Sequence, residues 1–144
     1  MLEFYVSQSI LHNWSHNKCV QILRNCQESM TNKSGKVIIV DIILNPGGDD
    51  AFDEMRINMD MIMLACFDGG KERTEVDWKR ILDESGFPHY KVIKIPAHVS
   101  IIEALYGVMP TLKKYQLFLT FHIVEQMPAP LFLVKQSATN LPCL

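Results

Sequence analysis

Lys36-Val-Ile-Ile-Val-Asp-Ile-Ile-Leu44 is the most regular segment of this 144-residue chain. Apart from Asp41, every residue after Lys36 in this run is apolar. Continuous apolar runs of this length are typical of a central strand that is buried on both faces of a sheet. The run therefore predicts an α/β fold, and Asp41 is a conspicuous carboxylate within it.

The residues before this run predict a strand and a helix. Aromatic and β-branched residues from Phe4 to Leu11 indicate a short strand, which places His12 in the loop that follows. Ser15 can cap the next helix, which the polar segment 31–35 ends. The inward face of this helix has apolar residues at helical spacing: Cys19, Ile22, Leu23 and Cys26.

Two helices are predicted after the central run. A helix from Phe52 to Phe67 has methionines and leucine at positions 55, 59, 63 and 64, the pattern of a buried helix. Thr74 followed by Asp77 has the spacing of a capping box, and the helix that it begins ends at Gly86. Glu72 is therefore expected in a tight turn between two helices.

Two β-rich runs, His89–Pro96 and Val99–Tyr106, predict an antiparallel pair at the edge of the sheet. The order of elements is that of the C-terminal half of a doubly wound, Rossmann-like sheet with flanking helices. From Gly107 onward the chain is apolar but has no regular pattern. We therefore expect one unit over residues 1–106 and an atypical tail over residues 107–144.

Composition limits the classes of function. A formal net charge of −2 leaves no basic stripe for a phosphate backbone, so we expect no nucleic-acid partner. The longest late apolar run, Leu117–Val124, is too short to span a bilayer, and the amino terminus has no signal-peptide pattern. Four cysteines without metal-binding or disulfide spacing fit a reducing compartment. A cytoplasmic protein that acts on small molecules is the expectation.

His12, Asp41 and Glu72 are the residues most suited to chemistry, because they lie at loops where an open α/β sheet usually forms its site. Each has a structural alternative: His12 as a surface or capping residue, Asp41 as an acceptor of backbone N–H groups, and Glu72 as a partner of a helix dipole. His12 and His16 lack the glutamate of a His-Glu-x-x-His zinc helix, so no metal site is predicted.

Two short motifs carry a resemblance. Leu11-His-Asn-Trp-Ser15 and Gly69-Gly-Lys-Glu-Arg-Thr74 resemble the C-terminal part of plant S-adenosylmethionine-dependent small-molecule O-methyltransferases, which methylate phenolic hydroxyls. The segments Glu84–Val92 and Ser100–Tyr106 resemble the isoflavone, flavonoid and stilbene branch of that family. The resemblance extends over about residues 7 to 106.

The resemblance implies roles for individual residues. His12 would be the catalytic base, and Asp41 and Glu72 its acidic partners. Met63 would pack on the aromatic ring of the substrate, and Cys66 and Phe67 would line the pocket. The implied methyl donor is S-adenosylmethionine, and the implied substrate is a flavonoid- or stilbene-like phenolic. Asn13 stands where the family more often has aspartate.

The family's cofactor site and its dimerisation domain precede the region that this chain resembles. We therefore expect the chain to lack the cofactor-binding half, and Gln8 replaces a lysine that the family has near the cofactor. The alternative function is a catalytically inactive fragment that associates with a full-length relative. An unpaired edge strand and an uncovered helix face would favour such association, as they would a homodimer.

Overall fold

The computed structural model describes residues 2–30, 35–107 and 134–138. Its elements, in chain order, are β1 (Leu2–Gln8), a 3₁₀ turn (Leu11–Asn13), α1 (His16–Glu28), β2 (Gly35–Asp41), β3 (Ile43–Leu44), α2 (Asp53–Cys66), β4 (Arg73–Thr74), α3 (Glu75–Glu84), β5 (His89–Lys94), β6 (Ser100–Tyr106) and β7 (Val134–Ala138). Five strands form one sheet in the order β5-β6-β2-β1-β7, and β3 and β4 form a separate pair.

Strand β2 lies at the centre of the larger sheet, as its apolar sequence predicts. It is parallel to β1 and antiparallel to β6, and all seven of its residues are buried. The strand ends at Asp41 instead of continuing to Leu44, because Ile43 and Leu44 pair with Arg73 and Thr74 in the smaller sheet. Asp41 therefore lies at the carboxyl end of the central strand.

The predicted antiparallel pair is confirmed. β5 and β6 are hydrogen-bonded from His89 opposite Leu105 to Lys94 opposite Ser100, and β5 is the outer strand. Because β6 also pairs with β2, this hairpin extends the central sheet.

Helices α1 and α3 cover one face of the sheet. Their inward residues, among them Leu23, Trp78 and Leu82, form one cluster with Val37 and Ile39 of β2. A second cluster on the other face joins strand and loop residues: Phe4, Val6, Ile38, Val40 and Ile101, with Ile93, Ile95 and Val99 packed against them. The central strand is thus buried on both faces.

Helix α2 differs from its prediction. Only Arg56 and Met63 are buried on it, whereas Met55 and Leu64 are 47% and 60% exposed. The prediction of a buried helix is therefore wrong for most of the apolar stripe. Arg56 connects the helix to the loop before β6 by donating to the carbonyl oxygens of Ala97 and His98. Because Met63 is the only apolar residue buried on α2, few apolar contacts hold this helix in place.

The edge of β1 is paired. β7 runs antiparallel to it from Leu2 opposite Ala138 to Val6 opposite Val134. The unpaired edge strand expected for a fragment is therefore not found at β1, where a strand from the tail pairs with it. The rest of the tail, with Cys143, lies outside the described residues.

Within the described ranges, no helix has the length and apolar character needed to cross a membrane.

Candidate active site

A tight turn after β1 positions His12. Ser9 has a positive φ of 50°, in the left-handed region that residues other than glycine adopt uncommonly. Its amide donates a 3.0 Å hydrogen bond to the carbonyl oxygen of Val40, so the turn is attached to the end of β2. The 3₁₀ turn then directs His12 toward Asp41.

The Gly69-Gly70 pair brings a second loop against this turn. A Cβ at Gly70 would lie 3.2 Å from the carbonyl oxygen of His12 and 2.6 Å from the Cβ of Phe67, so only glycine fits. Lys71 donates its backbone amide to that same carbonyl oxygen at 2.9 Å. This close approach places Glu72 beside the imidazole.

His12, Asp41 and Glu72 meet at one point. The Nδ1 atom of His12 lies 2.9 Å from Oε1 of Glu72 and 3.4 Å from Oδ1 of Asp41. The three residues are 8%, 1% and 3% exposed. The structure therefore brings together the three side chains that the sequence singles out. Nδ1 thus faces the two carboxylates, and the imidazole also has a hydrogen bond with the backbone of Ser9.

Burial and charge shift the acidities in this cluster. Burial alone would lower the pKa of His12, but the hydrogen bond to Glu72 and the charges of Asp41 and Glu72 outweigh it and raise the pKa above its usual value. Burial raises the pKa of Asp41 to about 7. The positive charge of His12 opposes this shift, and the negative charge of Glu72 increases it. Both shifts favour the protonated forms of His12 and Asp41.

Three buried carboxylate oxygens lack a hydrogen-bond partner among the described residues: Oδ1 and Oδ2 of Asp41 and Oε2 of Glu72. Buried carboxylates without donors are costly unless they are protonated or paired with a cation. The imidazole is the nearest group that can supply the charge. The same three side chains offer ligand atoms within 4.8 Å of one another, a spacing that a divalent cation could bridge.

Arg73 is a buried residue of this region that the sequence analysis did not single out. It is 1% exposed, and its Nη1 donates to the carbonyl oxygen of Leu11 at 3.0 Å. Its Nη2 donates to the carbonyl oxygen of Trp14. No periodic pattern in the sequence predicts these hydrogen bonds, because they join segments that are distant in the chain.

A cavity of about 510 Å³ opens beside the His12 turn, lined by Asn13, Trp14, Ser15, Lys18, Phe67, Asp68 and Gly69. Of the three residues expected to contact the substrate, Phe67 lines this cavity. Met63 and Cys66 lie on α2 and do not line this cavity; Met63 is buried and Cys66 is exposed.

The O-methyltransferase domain family matches residues 3–88, which is more than half of the chain. The chain belongs to this family. Its matched region contains α1, β2, α2 and α3, together with His12, Asp41 and Glu72.

Relatives and solved structures agree with this membership. Xanthohumol 4-O-methyltransferase of Humulus lupulus is 52% identical over 66% of the chain and 26% of its own length. (R,S)-Reticuline 7-O-methyltransferase of Papaver somniferum is 51% identical over 66% of the chain and 27% of its own length. The chain thus spans about a quarter of the length of these relatives.

The crystal structure of CalO1, a methyltransferase of calicheamicin biosynthesis with SAH bound, superposes with a TM-score of 0.62. It is 29% identical, and the match covers 72% of this chain and 30% of CalO1. The predicted fold class, part of a Rossmann-like methyltransferase sheet, is confirmed.

Family membership implies S-adenosylmethionine as methyl donor. Among the described residues, the glycine-bearing turn between a strand and a helix is the one after β3, where a Cβ at Gly47 would meet nothing within 4 Å and a Cβ at Gly48 would meet the ends of the Asn45 and Asp53 side chains. Gly47-Gly48 does not have the Gly-x-Gly-x-x-Gly pattern of a Rossmann cofactor turn, so this turn does not fit the cofactor. Only the chemistry of this chain's own residues is derived below.

Proposed function

We propose that this chain carries the catalytic base of a phenolic O-methyltransferase and that His12 accepts the proton of the substrate hydroxyl. The observation that supports the proposal is the buried imidazole whose Nδ1 faces both Glu72 and Asp41. We assign this role to residues 1–106, and we propose that residues 107–144 are a tail outside the catalytic unit.

The chemistry follows from the acidity of phenols. A phenolic hydroxyl has a pKa near 10, so at neutral pH it is a poor nucleophile until a base accepts its proton during attack. The Nε2 atom of His12 is the acceptor in this proposal. Glu72 then receives the Nδ1–H hydrogen bond of the imidazolium, and Asp41 contributes a second negative charge beside the ring.

The substrate class is proposed from the relatives and the cavity. The names of the two relatives above specify xanthohumol and reticuline. We propose that the aromatic ring of such a compound lies against Phe67, because Phe67 and Trp14 line the cavity beside the His12 turn. Met63 and Cys66 lie on α2, which ends just before Phe67, and do not line this cavity, so a contact between them and the substrate is proposed from the family resemblance alone. The hydroxyl then faces His12.

A chimera tests this proposal. Residues 7–106 replace the corresponding segment of xanthohumol 4-O-methyltransferase, and transfer of a labelled methyl group from S-adenosylmethionine to xanthohumol is measured. We expect the chimera to be active and His12→Ala to reduce its kcat by about 10²- to 10⁴-fold. His16→Ala, which removes a partly exposed histidine paired with Glu84, is the matched control and is expected to keep full activity. An active His12→Ala chimera would exclude the base role.

A second candidate function is association with a full-length relative by a chain that is inactive alone. The observation that favours it is the exposure of apolar side chains along α2: Met55, Ile57, Met61, Ile62 and Leu64. Calorimetry with S-adenosylmethionine, followed by sedimentation of the chain with purified xanthohumol 4-O-methyltransferase, separates the two candidates. Cofactor binding and turnover by the isolated chain would reject the inactive-fragment view. Absence of a complex would reject association.

A further inference from the structure

The His12 turn is held at both ends by one side chain. Leu11 and Trp14 flank the catalytic segment, and their carbonyl oxygens both accept hydrogen bonds from the Arg73 guanidinium. Nη1 of Arg73 also donates to the carbonyl oxygen of Lys71 at 3.3 Å. One planar group therefore connects the two loops that carry His12 and Glu72.

We propose that Arg73 is a positioning residue that holds the imidazole of His12 against Glu72. The inference rests on the proposed function of His12, and it adds a residue that does not itself touch the substrate. Arg73 follows Glu72 directly in the chain, so the same short segment supplies both the acidic partner and the clamp on the turn.

Three features suit an arginine for this position. Its fork of N–H donors reaches two carbonyl oxygens at once, whereas a lysine ammonium is a point donor. Its guanidinium lies over the ring of Trp78, with 5.5 Å from Cζ to the ring centroid, which fixes the plane of the fork. Strand pairing of Arg73 with Ile43 fixes its backbone.

A second group contacts the same two carbonyl oxygens. The buried thiol of Cys19 donates to the carbonyl oxygen of Leu11 at 3.1 Å and to that of Trp14 at 3.6 Å. A thiol is a weak donor, so it supplements the guanidinium and does not replace it. Loss of Arg73 therefore leaves the turn attached mainly through Lys71 and the Ser9 amide.

The alternative role for Arg73 is purely electrostatic, because its charge lies close enough to Asp41 to lower the pKa of that carboxyl. The two roles predict different results for Arg73→Lys. Lysine keeps the charge but loses the fork, so a charge role leaves His12 unchanged. A positioning role weakens the contact between His12 and Glu72, and the pKa of His12 then falls toward its usual value because the hydrogen bond that raises it is lost.

The experiment is an NMR titration of the His12 ring in the uniformly labelled 144-residue chain. The wild type, Arg73→Lys and the control Arg56→Lys are compared. Arg56 is also buried and also donates to two backbone carbonyl oxygens, but on α2, away from His12. We expect Arg73→Lys alone to lower the pKa of His12 and to lose the Nδ1–H signal bonded to Glu72. An unchanged His12 titration in folded Arg73→Lys overturns the proposal.

Should Arg73→Lys fail to fold, the wild type itself decides the question. Couplings across the hydrogen bonds from the Arg73 Nη atoms to the carbonyl carbons of Leu11 and Trp14 are expected, with slow rotation of the guanidinium. Free rotation without these couplings overturns the proposal. Both measurements require no methyl transfer.

The chimera gives the functional readout. Arg73→Lys in it is expected to lower kcat by about 100-fold, the order of effect of a misplaced catalytic group, with KM nearly unchanged. An inactive chimera combined with the expected NMR result would reject the proposed function but not the positioning of His12 by Arg73. An active chimera whose kcat is unchanged by Arg73→Lys would reject the role of Arg73 but not the proposed function.

Discussion

The backbone amide of Lys71 donates to the carbonyl oxygen of His12, and this 2.9 Å hydrogen bond joins the two loops of the candidate site. His12 and Glu72 are far apart in sequence, yet their side chains meet because the backbones beside them are already in contact. This main-chain contact brings the two loops together, and the proposed role of Arg73 is to hold the His12 turn within that arrangement.

Glu72→Gln tests the source of the raised His12 pKa. Glutamine keeps the shape of glutamate but removes the negative charge that stabilises the imidazolium, so we expect the pKa of His12 to fall. NMR titration of the ring measures this directly. Asp83→Asn, which removes an exposed carboxylate paired with Lys79 on α3, is the control and should leave His12 unchanged. An unchanged pKa in Glu72→Gln would contradict the assignment.

The free energy of unfolding should decrease as pH rises from 5 to 8. The pKa of Asp41 is raised to about 7 in the folded protein, so the folded state holds a proton that the unfolded state releases near pH 4. This contribution to stability is complete below pH 4 and is lost as pH rises through 7, about 2 kcal/mol of it between pH 5 and pH 7. His12, whose pKa is also raised, adds a loss above pH 6.5.

Urea unfolding at pH 5, 6, 7 and 8 checks this dependence. Asp41→Asn removes the titrating carboxyl, and its stability profile should be flatter than that of the wild type over the same range. A wild type that gains stability from pH 5 to pH 7 would contradict the prediction.

Thr74→Ala should destabilise the protein by about 1 kcal/mol. The Thr74 hydroxyl accepts the amide of Asp77, and the Asp77 carboxylate accepts the amide of Thr74, so alanine leaves the Asp77 amide at the start of α3 without its acceptor. Urea unfolding at pH 7 measures the loss. Val76→Ala in the same turn is the control, because Val76 is 78% exposed and should change stability by less than about 0.5 kcal/mol.

Binding of a phenolic should quench the fluorescence of Trp14. Trp14 lines the cavity and is 45% exposed, whereas Trp78 is 1% exposed and supplies a constant background. Titration with xanthohumol measures the affinity, and Trp14→Phe should abolish the signal. Phe67→Ala should weaken binding about 10-fold through loss of an aromatic contact. Met61→Ala, which truncates an exposed side chain on the same helix outside the cavity lining, should not.

Local sequence patterns predicted those parts of the fold that local interactions determine. The apolar run that ends at Asp41 identified the central strand, and Thr74 with Asp77 identified a capping box that the structure contains in full. His12, Asp41 and Glu72 stood out at the ends of predicted elements, but each had a structural alternative, and the resemblance of the surrounding motifs to a methyltransferase family was what favoured a reactive role. Their catalytic roles remain predictions.

Features that depend on distant contacts could not be predicted. The clamp formed by Arg73 requires knowing that Leu11 and Trp14 lie beside it in space. The buried ion pair of Lys36 with Glu103, 2.7 Å long, depends on the register of β2 against β6. The exposure of α2 was missed because helical spacing of apolar residues does not say whether another element covers them.

Pairing of β7 with β1 has a consequence for assembly. This five-residue strand pairs with β1 from Leu2 to Val6, along the edge where a further strand would otherwise add. A strand of a partner that pairs with β1 at this position has to displace Val134–Ala138 first. Such pairing is therefore an exchange of strands with a barrier, and β7 protects this edge of the sheet against self-association.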